Sequence, residues 1–148
     1  MYTENSITIK GSADRVFEIA SNVLSWPEIL PHYRFVNLIR EEGHRRVVEM
    51  AAHRDGIPVK WTSIIEPLEK EKRIHFWHIK GPSKGMFVEW IIREAGGGYV
   101  SVRITHDLNP RDPVSRFFAK YIIGKFFVHN IASKTLKIIK ERVEKGGR

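Results

Sequence analysis

The sequence predicts an α+β domain in which a curved, seven-stranded antiparallel sheet grips a long C-terminal helix, with two short helices after the first strand. Three observations predict it. A strand-like segment near the N-terminus is followed by two short helical ones. Six strand-like segments separated by turn signals then run from Tyr33 to Leu108. A helical segment reaching about Lys145 closes the chain. An open sheet of seven strands must twist and curl, and one apolar stripe of the last helix can plug its concave face. A pocket is expected wherever the two sets of side chains fail to meet.

Residues 5–10 alternate, with Ile7 and Ile9 on one face, and read as a strand ended by Gly11. Ser12 is an N-cap candidate and Asp14 suits the first turn of a helix, in which Val16, Ile19, Ala20 and Val23 recur at helical spacing. Ser25-Trp26-Pro27 starts a second short helix, with Ser25 as its cap, and Pro31 stops it. Strands follow at 33–41, 45–54, 57–66, 73–80, 86–94 and 99–108. Their breaks are Glu42-Gly43, the hairpin signal Asp55-Gly56, the polar turn 69–72, Gly81 to Gly85, and the triple glycine 96–98. Asn109-Pro110 and Asp112-Pro113 introduce the last helix. Residues 1–148 show no repeat, linker or boundary and read as one domain.

Composition narrows the function. The 148 residues suffice for one core, and the absence of cysteine excludes disulfides and thiolate metal sites. The N-terminal segment lacks the basic start and apolar run of a secretory signal, and no stretch reaches the roughly 18 apolar residues of a membrane span. The cytoplasm is therefore the expected compartment. The net charge of +8 attracts phosphates without recognising them, and much of the excess is spread along the last helix. With no nucleic-acid-binding motif, no specific nucleic-acid partner is expected. His75 and His78 lie three apart on a strand, hence on opposite faces, and make a poor metal pair. No metal is expected.

Three strands alternate clearly enough to assign a face. Ile57, Val59, Trp61, Ser63 and Ile65 should point inward, as should Met86, Val88, Trp90 and Ile92, and Val100, Val102, Ile104, His106 and Leu108. Ser63 and His106 are the polar interruptions, and a buried hydroxyl or imidazole needs a partner from backbone, water or ligand. Two such groups on strands sharing one cavity, with Trp61 and Trp90, point to a ligand site. The other strands do not alternate cleanly, which leaves the facing of Glu49, His53 and His78 open.

The segment Ser25 to Arg34, SWPEILPHYR, together with the opening ENSITIKGSADRVFEIASNV, resembles the aromatase/cyclase proteins of aromatic polyketide synthesis. These belong to the START-like (SRPBCC, birch-pollen-allergen-like) superfamily, whose helix-grip fold has the architecture read above. The resemblance spans nearly the whole chain and is most specific over residues 5–43. It implies that Trp26 and Tyr33 stand beside a pocket, that Trp61 and Ser63 form a W-x-S strand motif, and that Trp90 lines a wall. His106 falls where those cyclases carry a glutamine. The family continues W-x-S-x-R, and here the arginine position holds Ile65.

The resemblance implies a hydrophobic or aromatic ligand and, if the protein is catalytic, aldol cyclisation or dehydration of a polyketone-type substrate without a cofactor. Ser63 and Tyr33 would fix carbonyls and His106 would move a proton. Trp26, Val59, Trp61, Ile65, Met86, Val88, Trp90, Val102 and Ile104 would form the walls. The apolar last helix is similar to that of coenzyme Q-binding START-like proteins, which keeps a non-enzymatic lipid or quinone carrier open. On a helical wheel Phe117, Tyr121, Val128, Ala132 and Ile139 share one stripe. Ile123 and Phe126 fall outside it beside lysines, either buried by a sheet that wraps the helix widely or left as an apolar patch suited to peripheral membrane contact or a partner. Monomer and homodimer stay equally open.

Overall fold

A computed structural model describes residues 1–54, 56–119 and 129–146. The strands are β1 (Tyr2–Lys10), β2 (Tyr33–Glu42), β3 (Arg45–Arg54), β4 (Ile57–Leu68), β5 (Arg73–Lys80), β6 (Phe87–Gly96) and β7 (Tyr99–Asp107). All pair antiparallel in one sheet, in the order β1-β7-β6-β5-β4-β3-β2. The helices among the described residues are α1 (Ala13–Ser21), α2 (Trp26–Ile29), α3 (Pro113–Phe118) and α4 (His129–Gly146), with a 3-10 turn at Val23–Ser25. β1 begins at Tyr2 rather than residue 5, because its whole length pairs with β7 from Tyr2↔Asp107 to Lys10↔Tyr99.

The caps follow local chemistry, with one exception. Ser12 Oγ accepts from the Arg15 N–H at 3.1 Å, and an Asp112 carboxylate oxygen accepts from the Ser115 N–H at 2.9 Å. Ser25 makes no such cap for α2. Its hydroxyl instead accepts from the Asn22 side-chain amide at 2.9 Å, so the preceding 3-10 turn supplies the entry.

Cross-strand register builds continuous rows on the concave face. One row runs Ile7–Val102–Ile92, the next Asn5–Ile104–Trp90–Ile74, and the next Thr3–His106–Val88–Phe76–Ile65. Helix α4 lies against this face through Ala132, Leu136, Ile139 and Val143, whose spacing of four, three and four makes one stripe. The inward faces read for β4, β6 and β7 hold, except that Ile57, beside the hairpin turn at the start of β4, is exposed.

Two expectations for the last helix need restating. Phe117 was placed on the buried stripe, yet it is 62% exposed while Ala119 is buried. In α3 the phase that turns Ala119 inward leaves Phe117, two residues away, on the outer side. Tyr121, Ile123, Phe126 and Val128 lie outside the described residues. None of the described helices is long and apolar enough to cross a membrane.

Candidate functional site

Between α4 and the end of the concave face that carries Trp61, Val88 and His106 lies a partly open cavity of about 90 Å³. One wall is aromatic. Trp26, brought over the sheet by α2, meets Tyr33 edge-on at 5.1 Å between ring centroids and lies 5.9 Å from Trp90 and 6.0 Å from Phe76. Its indole N–H donates to the Ile19 carbonyl at 3.3 Å, which fixes the ring from the α1 side. Tyr33 continues to Trp61 at 6.1 Å, and Trp61 stacks on His78 at 5.6 Å with ring planes 6° apart. Met50, Val59, Met86, Val88 and Ile104 complete the apolar sheet side, and Ile131 and Ala132 supply the helix side.

The polar groups on the wall are Tyr33, His78, Ser83, His106 and Thr135. His78 Nδ1 and Ser83 Oγ are 2.5 Å apart. Ser83 is buried although it belongs to the β5–β6 loop, because that loop folds down onto the cavity. Gly81 permits the descent. At φ 106° it approaches β4 so closely that a Cβ would stand 2.7 Å from the Lys60 carbonyl oxygen.

Thr135 is held from behind. Its hydroxyl donates to the Ile131 carbonyl at 2.8 Å, so the 2.8 Å contact with His32 Nε2 has the imidazole N–H as donor. His32 does not line the cavity, but it ties the turn before β2 to the helix that roofs the site.

Burial sets the charge states. It lowers His78 to about 3, helped by the neighbouring His106, and lowers His106 to about 4. His32 is lowered to about 4, by burial first and then by Lys134 and His53. The same effect pushes the Tyr33 phenol up. All three imidazoles and the phenol are therefore uncharged near neutral pH. Trp61 Nε1, Ser63 Oγ and His106 Nδ1 are buried without a hydrogen-bond partner among the described residues. Each such group costs about 1–3 kcal/mol, which marks this end of the face as polar beyond what the core needs.

Of the expected site residues, Trp26, Tyr33, Val59, Trp61, Met86, Val88, Trp90, Ile104 and His106 meet on the wall. Ser63, Ile65 and Val102 do not. Ser63 is fully buried, a short side chain flanked on its face by Trp61, Ile65 and its cross-strand partner His78. Ile65 and Val102 belong to the packed core, 2% and 0% exposed. His78, Ser83 and Thr135 are the polar wall residues that sequence reasoning did not place. Glu49 faces the convex side, 3.9 Å from Lys60, and His75 pairs there with Glu89 at 2.9 Å, on the face opposite His78. His53 shares the outward parity of Glu49 and donates its backbone N–H to the His32 carbonyl. Among the described residues no cluster of three or more His, Asp or Glu side chains is arranged to hold a metal.

With this geometry in place, comparison with known proteins is informative. Residues 3–144 match the family described as polyketide cyclase/dehydrase and lipid transport. The chain belongs to this family. A Streptomyces halstedii protein assigned as a polyketide cyclase is 25% identical over 101 residues, covering 66% of this chain and 92% of the relative. An aromatase/cyclase structure from Streptomyces sp. R1128 superposes with a TM-score of 0.83 at 19% identity, covering 100% of this chain and 96% of the other. A START superfamily protein from Mycobacterium smegmatis gives a TM-score of 0.76 at 15% identity, covering 97% of each chain. These two structural likenesses establish the fold. Membership in the polyketide cyclase/dehydrase and lipid transport family, with the helix-grip architecture, agrees with what the W-P-E and W-x-S segments implied.

Proposed function

We propose that the chain binds a hydrophobic, aromatic small molecule in the cavity under α4 and acts on a polyketone-type substrate in the manner of polyketide cyclases. The observation that carries this reading is the convergence of Trp26, Trp61 and Trp90 with two neutral imidazoles on one cavity. Aromatic walls hold a planar or folding chain by apolar contact, and a few polar groups fix its orientation. Confinement is the main catalytic device. Orienting a flexible polyketone so that its reacting carbons meet can supply several kcal/mol on its own.

The polar groups assist in defined ways. A neutral imidazole or phenol can donate a hydrogen bond to a carbonyl as enolate character develops. Tyr33 and His106 take that role, and His106 also offers the site for a proton in transit. Ser63 lies off the wall, so the serine that reaches the substrate is Ser83, oriented by His78. A histidine held near 4 is a weak base, so His106 contributes more as a hydrogen-bond donor than as a proton acceptor.

A second reading, a non-enzymatic carrier for a lipid or quinone, is favoured by Ile65. The family resemblance places an activating arginine there, and no described wall residue carries a formal charge to replace it. Native mass spectrometry of protein purified from its own host separates the two. An aromatic or polyketone adduct that Trp61→Ala removes supports the cyclase-like reading. A lipid or quinone adduct supports the carrier. A protein that retains no adduct and binds no aromatic probe contradicts both.

A further inference from the structure

The cavity restricts the charge of what can fill it, a restriction that deepens the ligand-binding reading above and rests on it. No described wall residue is a carboxylate, ammonium or guanidinium. The polar wall consists of a phenol, two hydroxyls and two imidazoles, with the Trp61 indole among them. The surroundings also resist charge of either sign. Burial lowers both wall histidines and raises the wall tyrosine, so the site destabilises a cation and an anion alike. A charged ligand would exchange its hydration for indole and methyl groups, with no counter-ion among the described residues to compensate.

The hydrogen-bonding direction is partly set as well. His106 Nδ1 is buried without a partner among the described residues. An unsatisfied lone pair is tolerated better than an unsatisfied N–H, which puts the proton of neutral His106 on Nε2, available as a donor.

We propose that this cavity takes an aromatic or polyketone-type molecule carrying a hydroxyl or carbonyl oxygen in its uncharged form, and rejects the ionised form. The ring lies among Trp26, Trp61 and Trp90, and its oxygen meets the polar set at Tyr33, His78 and His106. Discrimination by ionisation state follows from the wall itself and needs no moving part.

The test pairs 4-nitrophenol, which ionises near neutrality, with 4-nitroanisole, its methyl ether, which cannot ionise. Affinities are measured by calorimetry between about pH 6 and 9, above the range in which the wall histidines titrate. Nitroanisole affinity stays flat with pH. Nitrophenol affinity falls about tenfold per pH unit once the phenol ionises, because only the neutral fraction binds. Val59→Lys, at a half-buried wall position, supplies a counter-charge and restores binding of the phenolate. Should that variant fail to fold, the two wild-type profiles still decide. Nitrophenol binding that persists unchanged through its ionisation overturns charge exclusion while leaving ligand binding intact. Failure of both probes to bind at every pH removes this proposal and the ligand-binding reading together.

Discussion

The two ends of the concave face are built on the same strands yet behave as different materials. At one end Ile9, Val100, Val102 and Ile92 meet Val16 of α1 and Ile139 and Val143 of α4, each at most 3% exposed and all within one apolar cluster. At the other, Trp61, Val88, His78 and His106 leave a cavity, and three buried polar atoms there have no partner among the described residues. The difference lies in the residues, not the backbone. Aliphatic side chains of similar size interdigitate with the helix stripe and close the gap. Large rigid rings stand against one another at 5–6 Å and cannot fill the space between sheet and helix. The sealed end is packed for stability, and the open end is the proposed place of recognition.

The contrast breaks first at the sealed end. Ile139→Ala, from 0% exposure, should cost about 2–5 kcal/mol in urea denaturation while leaving the affinity for an uncharged single-ring probe nearly unchanged. Equal damage to both would mean that the two ends form one unit. Next comes the open end. Trp61→Ala should weaken the same probe at least tenfold, about 1.4 kcal/mol, while losing less stability than the roughly 3–5 kcal/mol of a packed tryptophan. Full loss of stability with unchanged affinity would make Trp61 plain core.

The last expected effect concerns protons. His32, His78 and His106 have folded values lowered below the 6.5 of the unfolded chain, so between about 4 and 6.5 the unfolded state binds more protons. Their contribution to stability is complete above 6.5 and declines as pH falls through that window. The melting temperature should therefore be flat above pH 7 and decrease from 6.5 to 5, before most carboxylates titrate. His106→Gln should make that decline shallower. A melting temperature constant down to pH 5 would show that the imidazoles are not held neutral by burial.

The comparison also explains what could be read from sequence. β4, β6 and β7 each set polar residues (Lys60 and Glu66, Glu89 and Arg93, Ser101 and Arg103) against an inward apolar row, so period-two alternation displays Trp61, Trp90 and His106 directly. β5 hides its pattern. Its outer residues His75 and Trp77 cluster with Phe87 and look as core-like as the inner Phe76 and His78. His78 could not be faced for that reason, and Ser83 reaches the wall only through the fold of a glycine-bounded loop. Ser63, Ile65 and Val102 have the right parity but the wrong depth. Alternation reports which side a residue faces and carries no information on which neighbour overtops it. Thr135 and His32 meet across 103 positions, a contact for which no local pattern exists.

The central claim, that the open end is a ligand site, can be tested on the chain's own tryptophans. Of the four, Trp26, Trp61 and Trp90 line the cavity and Trp77 lies on the opposite face beside Arg45 and Phe87. Indole N–H signals followed by NMR during titration with 4-nitroanisole should show Trp26, Trp61 and Trp90 shifting together along one saturating curve, with Trp77 unmoved. A titration that shifts Trp77 alone, or shifts none of the four, would contradict the claim.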